Sequence, residues 1–457
     1  MPVQPTPHTQ PPAQADAPRL RVLVLAESCN PEWASIPLVG WSHYEAVSHL
    51  ADTHLVTRVR NRPAIDRYGL KEGRDYTAID TEFFFDLMYK LVRRISGPNK
   101  GWAMLTALTI PSYLLFEYIT WWRFRAQLKK GRFDLVHRIT PLSPAVPSPM
   151  AAWCRKAGVP FVVGPLNGGL PWPAEFPNLR AQEKEWLSRF RGLFRALPGY
   201  RATRNAASAL IMGGISAFKE VPARWKDKTF YVPENGYDPT RFVPPTPRTY
   251  TGRPLRAIFL GRLVVAKGCD MLLEAAAPLL RAGTLELTII GGGPEDENLR
   301  TLARTLGIEN IIRFTGDIAH RDVAQHVAQA DIMTFPSVHE FGGAVVLEAM
   351  CMRVVPIVAD YGGPAELASR NCGFLIPLQT REPFITAIRT TLEGIVANPQ
   401  QLEAMSANAL RRASTLFAWP RKAEQTLAIY HWALNPTRPK PDWGMPLRDP
   451  APESLKQ

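Results

Sequence analysis

"LRAIFLGRLVVAKGCDMLLEAAAPLLRAGTLELTIIGGG", residues 255–293, decides the fold class. A short apolar run ends at Gly261, a basic loop follows, and a helical pattern begins near Cys269. Gly283 closes that helix, and a second apolar run ends in three glycines. Strand, covering helix and second strand form one βαβ unit, which joins parallel neighbours in a sheet buried on both faces. The alternation continues through "IIRFTGD", "DIMTFPS" and "VVPIVAD", each preceded by a helical segment. Upstream it is present in "RLRVLVLAES", "FDLVHRIT", "VPFVVGPLNGG", "AASALIMGG" and "TFYVPENGYD". Between the two series lies "VPPTPRTYTGRP", proline-rich and unpatterned, which reads as a linker. Two βα series with one linker imply an α/β chain of two doubly wound Rossmann-like domains, facing across a cleft at their carboxyl strand ends.

The expected division is a disordered tail at 1–18, a first domain at 19–243, a linker at 244–254 and a second domain at 255–418. A helix at 419–435, expected to cross back to the first domain, and a proline-rich tail at 436–457 complete it. At 457 residues two cores are expected. The first 18 residues are rich in Pro, Gln and Ala and lack the apolar core of a leader. Cys29, Cys154, Cys269, Cys351 and Cys372 have neither CxxC nor Cys/His spacing, so free thiols in a reducing compartment are expected. The net charge of +13 suggests phosphate-bearing partners: nucleotides, nucleic acid or an anionic membrane surface. Nucleic acid is the poorer partner, because no nucleic-acid module accompanies the charge. "WAMLTALTIPSYLLFEYITWW", 102–122, is long enough to span a bilayer. Pro111 and Glu117 favour a core or surface-lying helical pair instead.

Two loops carry the chemistry. In "GRLVVAKGC" Arg262 and Lys267 stand beside a helix start, with Gly268 admitting close backbone approach. Such a place seats a diphosphate, although two solvated loop cations would look the same. "HEFGGAVVLEAM" places Glu340 before the Gly342–Gly343 pair and Glu348 inside the following helix. The glycines leave backbone N–H groups open to a ligand, and the two carboxylates can reach different parts of it. "IIGGGPEDE" has Asp296 where a dinucleotide fingerprint needs its third glycine, so a nicotinamide-type site is not expected.

The joint pattern — strand, G-R-L, K-G, helix, then P-S, E, seven residues, E-A-M, then "PIVADYGGPAEL" — resembles the retaining glycosyltransferases of family 4, with the GT-B fold. "NGYD" with Phe242 is similar to that family's signature before the linker. The resemblance implies that Arg262 and Lys267 hold the diphosphate of a nucleotide sugar, with Gly261 beside them. It implies that Glu348 binds ribose, and that Glu340 with the amides of Phe341, Gly342 and Gly343 holds the sugar hydroxyls. No obligatory cofactor or metal is implied; the nucleotide-diphosphate sugar is a co-substrate. A saccharide or lipid-linked acceptor, and a place in cell-envelope, polysaccharide or glycolipid synthesis, follow from the same likeness.

Three departures from the family stand out. The loop after the first strand, "ESCNPEWASIPLVGW", has only Gly40 where the family has a glycine-rich turn. Asn167 stands near the family's cleft histidine, with His137 as a second candidate for that role. Arg353 occupies a common glycine position and would be strained if that position requires a positive φ. A GT-B epimerase or a degenerate nucleotide-sugar-binding protein are the rival readings. Basic–aromatic segments at 82–102, 121–133 and 184–201 suit either a bilayer surface or an ordinary core face. A cytoplasmic protein, peripheral on the inner face of the membrane, is the resulting expectation.

Overall fold

The computed structural model describes residues 18–84, 86, 87, 90, 102–177, 179 and 198–445. The tail expected at 1–18 lies outside them except for its last residue, as do 446–457 and nearly all of the basic–aromatic helix expected at 184–201. Two parallel sheets organise the rest. The first has the order β3-β2-β1-β4-β5-β6-β7, the second β10-β9-β8-β11-β12-β13.

The first sheet comprises β1 (Arg21–Ala26), β2 (Asp52–Arg58), β3 (Tyr76–Ile79), β4 (Leu135–Thr140), β5 (Phe161–Leu166), β6 (Ala209–Met212) and β7 (Thr229–Tyr231). The second comprises β8 (Leu255–Leu260), β9 (Leu285–Ile290), β10 (Ile312–Gly316), β11 (Ile332–Phe335), β12 (Val355–Ala359) and β13 (Phe374–Ile376). The central strand β4 is buried along its whole length and β1 along all but Arg21, hence the unbroken apolar runs in the sequence. β2, β3 and β13 carry no such run. Polar residues interrupt β2, and the other two span four and three residues, so the sequence reading passed them over.

The apolar stretch at 102–122 forms part of one helix, Trp102–Lys129, rather than a pair broken at Pro111. Tyr113, Phe116, Phe124 and Leu128 bury one of its faces against the first sheet. Glu117 is fully buried and accepts hydrogen bonds from the hydroxyls of Tyr113 and Ser148 and from the Met150 amide (3.0 Å). It thereby satisfies orphan donors at the start of helix Pro149–Lys156. Among the described residues no helix is long and apolar enough to cross a membrane.

Chain crossings tie the halves together. The terminal helix, Trp419–Leu434, packs on helix Ile36–Ser48 and puts Ile429, Tyr430 and Trp432 into the first core. In the other direction, Phe176 leaves the first half and is buried in the second core, edge to face with Phe384.

Candidate active site

In the second sheet β8 lies between β9 and β11, so the direction of winding reverses between β8 and β11. Ligands of doubly wound sheets sit in the crevice that opens at this switch point. The loop after β8 carries Arg262 and Lys267, and the loop after β11 carries Glu340. The structure brings the two loops together. The Val338 amide donates to the Ala266 carbonyl (3.0 Å), as does the Ser337 hydroxyl (3.2 Å). Lys267 Nζ donates to Glu340 Oε2 in an ion pair, both side chains about four-fifths buried. The other carboxylate oxygen accepts from the Gly342 amide (3.3 Å). Helices Cys269–Arg281 and Ala344–Cys351 start here, on Gly268 (φ 69°) and Gly343 (φ 74°). Both need glycine: a Cβ at Gly268 would lie 2.6 Å from the Pro336 carbonyl oxygen, and one at Gly343 3.0 Å from Pro364. One cation, one carboxylate and two helix N-termini therefore meet at one point, an arrangement able to bind an anion and a neighbouring hydroxyl.

Gly261 sits at the mouth of this loop, and the Gly291 and Gly293 backbones pack against it. Cβ atoms there would lie 2.1 Å from the Gly261 oxygen and 2.3 Å from the Leu263 oxygen. Arg262 is exposed and makes no side-chain hydrogen bond or ion pair among the described residues. Glu348 is buried on the helix after Gly343, within the field of Arg241, whose own pKa is lowered by burial and raised by that carboxylate. Arg241 follows the "NGYD" stretch and was not singled out from the sequence.

Residues of the first domain reach the same loop. Asn167 Nδ2 donates to the Phe341 carbonyl (3.2 Å). A Cβ on Gly342 would lie 2.1 Å from Asn235 Nδ2 and 2.4 Å from Glu234 Oε1. Asn167 thus faces the loop 339–343. His137 does not. It is fully buried in β4, with Nδ1 2.6 Å from the Tyr430 hydroxyl and Nε2 2.7 Å from the Gly164 carbonyl. Burial pulls its pKa down to about 4, so it is a neutral core residue that holds the terminal helix, not a cleft group. Gly40 lies in helix Ile36–Ser48, where a Cβ would meet the Ser28 oxygen at 2.2 Å. Its absence of a side chain lets the helix approach the loop after β1, at the β1/β4 switch point of the first sheet.

Sequence reasoning also missed Glu234 and Lys422. Burial pushes Glu234 up to about 7, with the Asn167 hydrogen bond and Lys422 opposing the shift. Lys422, buried at the start of the terminal helix, donates to the Pro233 carbonyl and is pulled down to about 7 by burial. Glu366 lies close by, accepting from the Ile215 amide (2.9 Å) and the Tyr231 hydroxyl (3.0 Å). A proline-bounded "PENG" before a linker gives no spacing cue to such a cluster.

Known proteins share this fold and part of this sequence. Residues 254–394 match the family model described as glycosyl transferases group 1. The chain is 30% identical over 197 residues to a D-inositol 3-phosphate glycosyltransferase of Kineococcus radiotolerans, covering 39% of this chain and 44% of that protein. It is 28% identical over 181 residues to an alpha-D-kanosaminyltransferase of Streptomyces kanamyceticus, covering 39% and 45%. The matches span less than half the length of these curated relatives. The whole architecture is similar to Anabaena Alr3699/HepE solved with UDP, at TM-score 0.58, 16% identity and coverage of 90% and 100%. A sucrose-phosphate synthase of Thermosynechococcus elongatus gives TM-score 0.59, 16% identity and coverage of 90% and 98%. The chain therefore has a GT-B fold, and its residues 254–394 are similar to the glycosyl transferases group 1.

Proposed function

We propose that the protein transfers a sugar from a nucleotide-diphosphate donor to an acceptor, with retention at the anomeric carbon. The observation that carries this reading is the meeting of Lys267 and Glu340 at the β8/β11 switch point, between two helix N-termini. Cleavage of a glycosyl phosphate places negative charge on the departing oxygen. A fixed ammonium and helix amides stabilise that charge more in the transition state than in the ground state. Lys267 and Arg262 take the diphosphate, Glu348 the ribose, and Glu340 with the Phe341–Gly343 amides the sugar hydroxyls. Glu340 is engaged with a cation and an amide, the role of a positioner rather than of a glycosidase nucleophile.

The test begins with binding. A thermal-shift panel of UDP, GDP, ADP and TDP and their sugar conjugates identifies the donor, since a ligand selective for the folded state stabilises it by mass action. Lys267→Ala is expected to abolish the shift. Glu340→Ala should keep the bare nucleotide's shift and lose the increment from its sugar. Transfer should fall by about 10²–10³ in each. Wild-type rates in both variants would remove the assignment, and product formed without an acceptor would identify an epimerase.

The acceptor is proposed to be presented at an anionic membrane surface. Tyr118, Trp122, Arg125 and Lys129 are exposed at helical spacing on one face of Trp102–Lys129, and Arg125 lies over the Trp122 ring at 5.1 Å. Aromatic rings with flanking cations suit the headgroup layer. Co-sedimentation with anionic vesicles that Trp122→Ala and Arg125→Ala fail to weaken would remove this part.

A further inference from the structure

The segment from Asn167 to Leu179 leaves the first sheet and does not return to it within the described residues. Gly168 (φ 128°) and Gly169 (φ 78°) turn the chain away from β5. Leu170 is buried, its side chain lies against Gly362, and its carbonyl is 3.2 Å from His339 Nε2. The Pro171 carbonyl accepts from the Tyr361 hydroxyl. Trp172 stacks face to face on His339, with centroids 4.0 Å apart and planes 8° from parallel. Phe176 then enters the core of the second domain, and Leu179 packs on the same core. Leu170, Pro171, Trp172, Phe176 and Leu179 of this strap all contact the opposite domain, and Trp172 bears on the residue directly before Glu340.

The loop 339–343 is thus held on several sides by the other half of the molecule. His339 lies between the Trp172 ring and Phe341, whose ring centroid is 5.1 Å away. Phe341 accepts from Asn167, and Gly342 abuts Glu234 and Asn235. By contrast the contacts that hold the Lys267 loop among the described residues come from the second domain, through Ala266 against Val338 and Ser337 and through Gly268 against Pro336. The two ends of the donor site therefore differ in what supports them.

We infer that Trp172 is a positioning residue for Glu340: the strap holds the sugar-binding loop, so the sugar end of the donor site is completed by the first domain while the phosphate end is not. This deepens the transferase reading and rests on it for its kinetic consequence. A loop held by one stacked ring and a few hydrogen bonds opens locally when the ring is removed, with no global unfolding.

Two measurements test the inference, one needing no ligand. Hydrogen exchange of amides 339–343 in the free protein should quicken about tenfold or more in Trp172→Ala, with helix Cys269–Arg281 unchanged. Trp172→Phe, which keeps a ring against His339, should restore the wild-type rate. Equal exchange in wild type and Trp172→Ala overturns the inference whatever the protein's activity. The second arm uses UDP and UDP-glucose, or the pair picked out by the thermal-shift panel. Trp172→Ala should bind the bare diphosphate as wild type does and lose about tenfold of any preference for the sugar conjugate. Its transfer rate should fall by about 10²-fold with a small change in KM for donor. A matched loss for both ligands would show a merely structural role and overturn the assignment. Failure of wild type to bind any nucleotide sugar would count against the transferase reading alone, leaving the exchange result to decide the strap.

Discussion

The two sides of the cleft are built by opposite means. On the second domain's side, turns are made by glycines that have no room for a Cβ: Gly268, Gly291, Gly293, Gly343, Gly362 and Gly363. Backbone packs directly on backbone there, and side-chain chemistry is left to Lys267, Glu340 and Glu348. On the first domain's side glycines also turn the chain, at Gly168 and Gly169, but side chains make the contacts that reach across the cleft. Ser35 takes φ 66° in the loop after β1, Asn167 and Glu234 contact the facing loop, and Trp172 stacks across the gap. Glycine-built loops have few sequence solutions, so their spacing can be read from one chain. Side-chain-built contacts have many solutions and leave no spacing to read.

The sharpest way to break this contrast is to add one methyl group to each of two glycines of the second domain, one facing its own domain and one facing the first. At Gly363 a Cβ would lie 2.4 Å from the Phe341 oxygen and 2.6 Å from the Gly342 oxygen, both backbone atoms of its own domain. Gly363→Ala is expected to displace the sugar-binding loop, lower transfer by about 10²-fold or more and destabilise the fold by about 1–3 kcal/mol. In Gly342→Ala the atoms nearest the new methyl group are side-chain atoms of the first domain, on Asn235 and Glu234. It should push the domains apart, lowering transfer by a similar factor while bare nucleotide binding and melting temperature stay near wild type. Kinetics, nucleotide affinity and melting on both variants check this. Identical behaviour of the two would show that the sides are not built differently.

A smaller effect is expected from the buried pair that joins the first domain to the terminal helix. Folded Glu234 keeps its proton up to about pH 7, against an ordinary value of 4.5. The folded state thus binds more protons than the unfolded one, and this group's contribution falls as pH rises through that window. Lys422 behaves in the mirror sense, releasing its proton near 7 against an ordinary 10.5, so its contribution rises with pH above neutrality. Burial is the main cause in both, with Glu366 adding to the shift of Glu234. A shallow minimum in melting temperature near neutral pH is expected, a few degrees deep at about 2–4 °C per kcal/mol. The double variant Glu234→Gln, Lys422→Met should flatten it and melt at or above the wild-type temperature at neutral pH, because buried ionisable groups are replaceable by neutral ones. A flat profile in the wild type would show that the pair does not titrate as the geometry implies.

What the sequence reveals follows the same division. The βα alternation and the glycine-bearing loops after β8 and β11 were legible, because parallel buried strands and glycine turns impose periods and gaps. The three missed strands were not: polar residues interrupt β2, and β3 and β13 are too short to carry a period, whereas the equally short β6 and β7 were read from their place in the alternation. His137 was misplaced for a related reason. A histidine at a strand's carboxyl end looks like a cleft group, and only the terminal helix, 293 positions later, supplies the Tyr430 hydroxyl that buries it. The strap left a weak sign in "GGLPWPAEFPN", where Trp172 and Phe176 stand among prolines in a segment with no strand or helix pattern. Two large aromatics in such a segment must be buried somewhere, but nothing local says in which domain.

The smallest predicted effect compares two residues that adopt glycine-like backbone without being glycine. Arg353 has φ 60° just past helix Ala344–Cys351, where a left-handed residue closes the helix. The Val354 amide donates to the Ala349 carbonyl (3.0 Å), as that closure requires, and Arg353 Nε is buried without a partner. Ser35 has φ 66° and ψ −138° before helix Ile36–Ser48, a region that side chains avoid. Glycine relieves the strain at either site, offset by its greater freedom in the unfolded chain. A net gain of about 0.5–1 kcal/mol, or roughly 2 °C, is expected from each of Arg353→Gly and Ser35→Gly. The kinetics should separate them. Arg353 lies at the carboxyl end of its helix, away from the Gly343 start that faces the cleft, so its variant should turn over as wild type does. Ser35 belongs to the exposed loop at the β1/β4 crevice, where its carbonyl accepts from the Val39 amide (3.1 Å) and the flanking chain fixes the strained backbone. Ser35→Gly should loosen that loop and raise KM for the acceptor while leaving KM for the donor unchanged. If both variants gain stability and neither alters acceptor kinetics, the strain in the first domain is structural, and the acceptor contacts lie elsewhere along the strap and the β4 loop.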